Sequence, residues 1–321
     1  MAGRELKELF RAFRGGDELA FRRAAQAIIE EEEAKQHVAL ARDLRRLIAG
    51  GEEHRVVGDV VLPPPPTDPE HDWPLAEVRH PTRYLTDLVL SPATEKRVRG
   101  LTDEVEAWPR LAAADVPRRR RLLFYGPPGC GKSSAAEAIA AEIGLPLVVV
   151  RIDAVISSYL GQTAANLRRI IDYANESPWV VLFDEFDALG RMRDDPTEHG
   201  EIKRVVNAFL QMLDNYDGPS LLIAATNHEG LLDRALWRRF DDVVEFPQPT
   251  VHQMRKLLRS RLGGTKHVDV DGAASRLRGL PHAAVERTAW SARRSALLSG
   301  RDMVTQADLT LAVEEVRDRP W

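Results

Sequence analysis

One cysteine, Cys130, stands among 321 residues, so no disulfide can form within the chain, and such usage suits a reducing compartment. No apolar run is long enough to span a bilayer, and residues 1–8 lack the apolar core of a secretory signal. The expectation is a cytoplasmic protein that does not enter a membrane. Neither sign of charge dominates, since 45 Lys and Arg face 49 Asp and Glu for a formal net charge of −4. That balance gives no global pull toward nucleic acid or anionic lipid. The nine histidines are scattered, with no spacing that suggests a metal site. Internal repeats are absent as well, so any symmetry has to come from assembly of copies.

What is present is concentrated in a few segments. Gly126-Pro127-Pro128-Gly129-Cys130-Gly131-Lys132-Ser133 follows Leu122-Leu123-Phe124-Tyr125, an apolar run that reads as a buried strand. It precedes Ser134–Ala140, which reads as a helix. Glycines there let consecutive backbone N–H groups wrap an anion, and the helix N-terminus adds its dipole. Lys132 reaches the outer phosphates and the Ser133 hydroxyl is placed for Mg²⁺. The alternative, a Gly-Pro turn followed by chance by Lys-Ser, does not account for the strand and helix on either side. A nucleoside triphosphate is the ligand this segment predicts. Cys130 lies inside the loop beside a helix N-terminus, a place that favours the thiolate and makes alkylation a route to blocking nucleotide.

A pair of carboxylates supplies the second half of such a site. Trp179-Val180-Val181-Leu182-Phe183 has the continuous apolar character of a central parallel strand and delivers Asp184-Glu185 to its C-terminal tip. Asp184 fits the metal-side role and Glu185 fits the base that polarises an attacking water. A third strand, Leu221–Ala225, ends in Thr226-Asn227, and Asn227 is placed to orient that water. Open α/β sheets bind ligands at these strand ends.

Together these segments resemble an AAA+ ATPase of the AAA clade, the ring-forming motors that remodel proteins. Gly126–Ser133 matches Walker A, Val180–Asp187 Walker B, and Ala224–Asn227 sensor 1. Asp233–Asp241 matches the arginine-finger stretch, and the resemblance runs from about Tyr84 to the C-terminus. It implies a P-loop NTPase α/β fold, a parallel sheet flanked by helices, followed by a small all-α lid. ATP and Mg²⁺ are the implied cofactors, held by Gly126, Pro127, Pro128, Gly129, Cys130, Gly131, Lys132, Ser133 and Ser134, with Ser133 and Asp184 on the metal. The resemblance makes Arg238 and Arg239 fingers that reach the γ-phosphate of a neighbouring subunit, so the partner is a further copy of the chain, six by family analogy. Tyr159-Leu160-Gly161 resembles the aromatic–aliphatic–glycine loop that lines the central pore and grips an extended polypeptide. Arg191–Glu201 reads as a second pore loop or as a solvated one.

The chain then divides into residues 1–50, a helical hairpin or bundle for recruiting a partner, and 51–83, a linker marked by Pro63-Pro64-Pro65-Pro66. Residues 84–247 are the ATPase subdomain and 248–321 the helical lid. Within the lid, helices are expected at 250–262, 271–278, 282–298 and 305–317, the last opened by a Thr305–Asp308 cap. Gly279-Leu280-Pro281-His282-Ala283 departs from the family's Gly-Ala pair near the base, and no lid residue is assigned to nucleotide. A helical N-terminus before a lone AAA module loosely resembles bacterial ATPases paired with a subtilisin-like protease in phage defence. An adaptor or protease is therefore an expected partner, beside a protein substrate. Two other readings stand: a nucleotide switch or DNA loader using Arg118–Arg121, and a nucleotide-bound scaffold with little turnover. Arg118–Arg121 itself is expected in a solvated loop or a patch facing a subunit.

Overall fold

A computed structural model describes residues 63–156, 160–186, 208–228, 237–263 and 267–319. The residues from Pro65 to the C-terminus form one compact unit. Its centre is a six-stranded sheet of β1 (Ala76–Arg79), β2 (Arg121–Tyr125), β3 (Leu147–Val150), β4 (Val180–Phe183), β5 (Leu221–Thr226) and β6 (Asp242–Glu245), in the order β1-β3-β4-β5-β2-β6. Five strands run parallel, and β1 closes one edge antiparallel to β3. The apolar runs explain which strands are central. Every residue of β4 and β5 is buried, because helices cover both faces and leave no side for alternating polar residues.

Those covering helices follow from local signals. Helix α1 (Pro92–Glu106) opens on such a signal: the Ser91 hydroxyl accepts from the Thr94 N–H, and Pro92 sits at the first helical position. After the short α2 (Trp108–Ala113) and β2 comes α3 (Lys132–Glu142), whose alanines let it lie flat on the sheet. A single turn, α4 (Ile152–Val155), leads to the long α5 (Leu160–Glu176). Leu122, Phe124, Ala135, Ile139, Leu182, Ile223 and Phe246 belong to one buried core between sheet and helices.

Four further helices build a second core. They are α6 (Val251–Leu262), α7 (Val270–Arg276), α8 (His282–Leu298) and α9 (Gln306–Arg317). Capping boxes open α6 at Thr250 with Gln253 and α9 at Thr305 with Asp308, so each first turn satisfies its own orphan donors. The Arg301 guanidinium locks that second cap, donating to both Asp308 oxygens at 2.6 and 2.9 Å. Val89, far upstream, is buried in this core rather than in the first. The segment before α1 therefore joins the two.

Two expectations are corrected. The linker reading of 51–83 is too long, because 65–83 belong to the compact unit and contribute strand β1. Residues Thr67 to Pro74 are held by a local bridge, and Asp68 anchors them by accepting from Asn166 of α5 at 2.9 Å. Second, Arg118–Arg121 is no solvated loop. Arg119 pairs with Glu104 and Asp242, Arg120 with Asp217, and Arg121 with Asp241, while Arg118 lies 5.4 Å from the Trp108 ring centre. These arginines fasten the start of β2 to its neighbours. Strand β6 carries no strand signal of its own, since Asp242 and Glu245 bracket only two valines. Pairing with β2 supplies what the local pattern lacks.

Candidate functional site

A cleft opens at the C-terminal ends of β2, β4 and β5, lined from the sheet side by Pro128–Ser134, Asp184, Glu185 and Asn227. Residues 87–90 and Leu257, Arg261, His282, Ala283 and Glu286 line it from the other side. The sequence-predicted phosphate loop, carboxylate pair and Asn227 are thus brought together in one place.

The loop's geometry follows from its glycines. Gly126 has φ of 139°, and a Cβ there would stand 2.2 Å from the Phe246 carbonyl oxygen, so no other residue fits. Gly131 caps α3 with φ of 98°, turning successive N–H groups toward the cleft. Lys132 is buried, and its Nζ donates to the carbonyls of Gly126 and Pro127 at 2.7 and 2.9 Å. Those bonds curl the loop around its own lysine and hold the ammonium at the anion position.

Beside it, the Ser133 hydroxyl donates to an Asp184 oxygen at 2.6 Å. A hydroxyl and a carboxylate this close, both oxygen donors, fit a small hard cation such as Mg²⁺, which keeps several waters and takes few protein ligands. Glu185 follows on the strand tip with φ of 49°, in the left-handed region that a non-glycine residue enters at some cost. Its side chain is exposed to the cleft, free of the burial that encloses Phe183 and Phe186 on either side. Asn227, one residue past β5, is half-buried in the same wall.

Cys130 corrects an expectation. It is 1 % exposed, and burial pushes its thiol pKa up despite Lys132 nearby. The helix dipole does not win against desolvation here, so the thiol is a packed neutral group.

Two charged residues of the far wall, Arg261 and Glu286, were missed in the sequence. The Arg261 guanidinium donates to Glu286 at 2.9 Å and to the Asp87 carbonyl at 3.2 Å, tying α6, α8 and the segment before α1 together. The Ala283 N–H donates to the Gly129 carbonyl at 3.0 Å, a direct bond from α8 to the phosphate loop. The departure at His282 from the family's Gly-Ala pair was visible, but nothing local in the sequence placed Arg261 or Glu286 in the cleft.

Arg238 is exposed and directly follows Trp237, which packs edge-on against Tyr125 at 5.0 Å. Arg239 pairs with Asp214 of its own chain. Tyr159, the loop Arg191–Glu201, residues 233–236 and the N-terminal 1–50 lie outside the described residues, as do the side chains of Leu160 and Gly161. No cluster of metal-ligating side chains occurs among the described residues, and no described helix is long and apolar enough to cross a membrane.

Comparison with known proteins fits this geometry. Residues 122–248 match the family described as "ATPase family associated with various cellular activities (AAA)". A protein of Sinorhizobium fredii (strain NBRC 101917 / NGR234), "Uncharacterized AAA family ATPase y4kL", is 39 % identical over 319 residues, which are 98 % of this chain and 96 % of that protein. "ATP-dependent zinc metalloprotease FtsH 3" of Sphaerobacter thermophilus is 38 % identical over 215 residues, 64 % of this chain and 44 % of that protein. "Proteasome-activating nucleotidase" of Pyrococcus horikoshii is 34 % identical over 204 residues, 61 % of this chain and 51 % of that protein. Nearly the whole of the first relative is matched, and about half of the other two.

Proposed function

This chain belongs to the AAA family of ATPases, and from that membership we propose that it works as a ring of identical copies, six by family analogy, that hydrolyses ATP to remodel a protein substrate. In this reading Lys132 and the loop amides hold the phosphates, and Ser133 and Asp184 hold Mg²⁺. The ion, when bound, neutralises charge on the phosphate oxygens. Glu185 takes the proton of the attacking water, Asn227 orients that water, and Arg238 of one copy reaches the γ-phosphate bound to the next. Arg239, engaged with Asp214, is the weaker candidate for that reach.

The observation that carries the reading is the double wall of the cleft. The sheet supplies the chemistry and the α6–α9 lid supplies the opposite face, joined to the phosphate loop through Ala283 and Gly129. A γ-phosphate that comes and goes then has a direct path to the lid, which suits a motor better than a static scaffold. The competing DNA-loader reading loses its contact, because Arg119, Arg120 and Arg121 are already paired within the chain. Partner recruitment falls to the N-terminal 1–50, and an adaptor or protease is the expected kind of partner.

ATP turnover measured with and without an unfolded polypeptide, in wild type and Tyr159→Ala, tests this. Stimulation by polypeptide that the variant loses is the expected result. Turnover indifferent to both polypeptide and Tyr159 would remove the threading motor.

A further inference from the structure

Arg83 stands outside every motif of the site, yet it lines the same cleft as the phosphate loop. Its guanidinium donates from Nη1 to the Ser134 hydroxyl at 2.5 Å, one residue past the metal-side Ser133. Among the described residues no carboxylate pairs with it, in contrast to Arg79, Arg119, Arg121 and Arg261, each of which has one. A half-buried guanidinium with a single hydroxyl partner keeps most of its five donors for something else.

The backbone that carries Arg83 is fastened along the phosphate-loop helix α3 on both sides of it. The Thr82 N–H and hydroxyl reach Glu137 at 3.4 and 3.5 Å, and the Leu85 N–H donates to Glu142 at 3.1 Å. Leu85 is buried in the first core, which fixes the segment in depth as well as along the helix. Tyr84 and Asp87 close a 3-10 turn immediately after, so the chain cannot swing Arg83 away without undoing these contacts. A cation is thereby held beside the N-terminal turn of α3, where the backbone N–H groups already select for anions.

We propose that Arg83 is a phosphate-binding residue of this chain's own nucleotide site, its guanidinium meeting the α- and β-phosphates beside Ser134. The inference rests on the reading of the cleft as a nucleotide site. It differs from the trans role of Arg238, because Arg83 acts on the nucleotide bound in the same copy. The bond to Ser134, one residue past Ser133 along α3, assigns it to the phosphates that ATP and ADP share. A planar fork on phosphate oxygens is a charge-assisted, two-bond contact that Lys reproduces only as a point charge.

Calorimetric binding of ATP and of ADP to the full chain tests this, in wild type, Arg83→Ala, Arg83→Lys and Lys132→Ala, with thermal melts as the check on folding. Arg83→Ala is expected to weaken both nucleotides by similar factors, roughly tenfold or more, and Arg83→Lys to recover part of the loss. Unchanged affinity in Arg83→Ala, while Lys132→Ala has lost nucleotide, overturns the assignment and leaves the site itself standing. Weakening confined to ATP overturns it too, since the contact would then lie at the γ-phosphate. Full binding by Lys132→Ala would instead remove the nucleotide reading of the cleft, and Arg83 with it.

Discussion

Glu185 is the residue where a local backbone cost and the proposed role of base coincide. The chain holds a glutamate in the left-handed backbone region on the tip of a fully buried strand. Its N–H donates to the Asp184 carboxylate at 2.9 Å, a local bond within the strand tip. Replacing the base with an amide of the same shape leaves that backbone untouched. Glu185→Gln is therefore expected to bind ATP with near wild-type affinity and to lose turnover by about 10²–10⁴-fold, the usual worth of a positioned base. Single-turnover kinetics beside a binding measurement would check it, and a variant that turns over normally would displace Glu185 from the role. The buried thiol of Cys130 has the opposite character, a functional-looking residue that packing has silenced.

Among the elements, the join between residues 67–74 and helix α5 has a pH signature. Asp68 is buried, and the Asn166 amide foremost, with the Glu70 and His71 N–H groups, holds its carboxyl down to about 2 against the opposing effect of burial. An unfolded chain titrates the same group near 3.9. A carboxylate depressed in the folded state contributes stability that is fully present above the unfolded value and is lost as pH falls through the folded one. Asp68→Asn is thus expected to be less stable than wild type at pH 6, with the gap closing between about pH 4 and pH 2. Urea unfolding at a series of pH values would read this, and a gap that stays constant across the series would show that the charge on Asp68 is irrelevant. Since α5 begins at Leu160, this join also anchors the helix that leaves the Tyr159 segment.

For the molecule as a whole, two cores share one cleft, and an exposed Arg238 has no pairing partner among the described residues. On the proposed reading Arg238 acts in trans, so that each site depends on its neighbour. Arg238→Ala is expected to keep nucleotide affinity and lose roughly 10³-fold or more in turnover. Mixing that variant with Glu185→Gln gives the decisive reading. Each is inactive alone, but a mixed ring contains interfaces with an intact Glu185 on one side and an intact Arg238 on the other. Random mixing should restore roughly a quarter of wild-type turnover. A mixture as inactive as its components would mean that Arg238 serves its own site or none.

Much of this was written locally. Gly126–Ser133 carries its own conformational requirements, and the run Val180–Phe183 announces a strand buried on both faces before any partner is known. Helix starts at Thr250 and Thr305 were equally legible, because a cap satisfies donors within three residues of itself. Other features depend on residues distant in the chain. Strands β1 and β6 exist through their partners, Arg119 and Arg121 are engaged by carboxylates as far away as Asp242 and Asp241, and Cys130 loses its reactivity to burial. Arg83, Arg261 and Glu286 reach the cleft only because the two cores meet there. The chemistry is legible in short stretches of chain, since phosphate loops, carboxylate-tipped strands and caps act over a few residues. Which charges remain available to a ligand is settled by the fold, because pairing and desolvation are set by neighbours that folding brings from elsewhere.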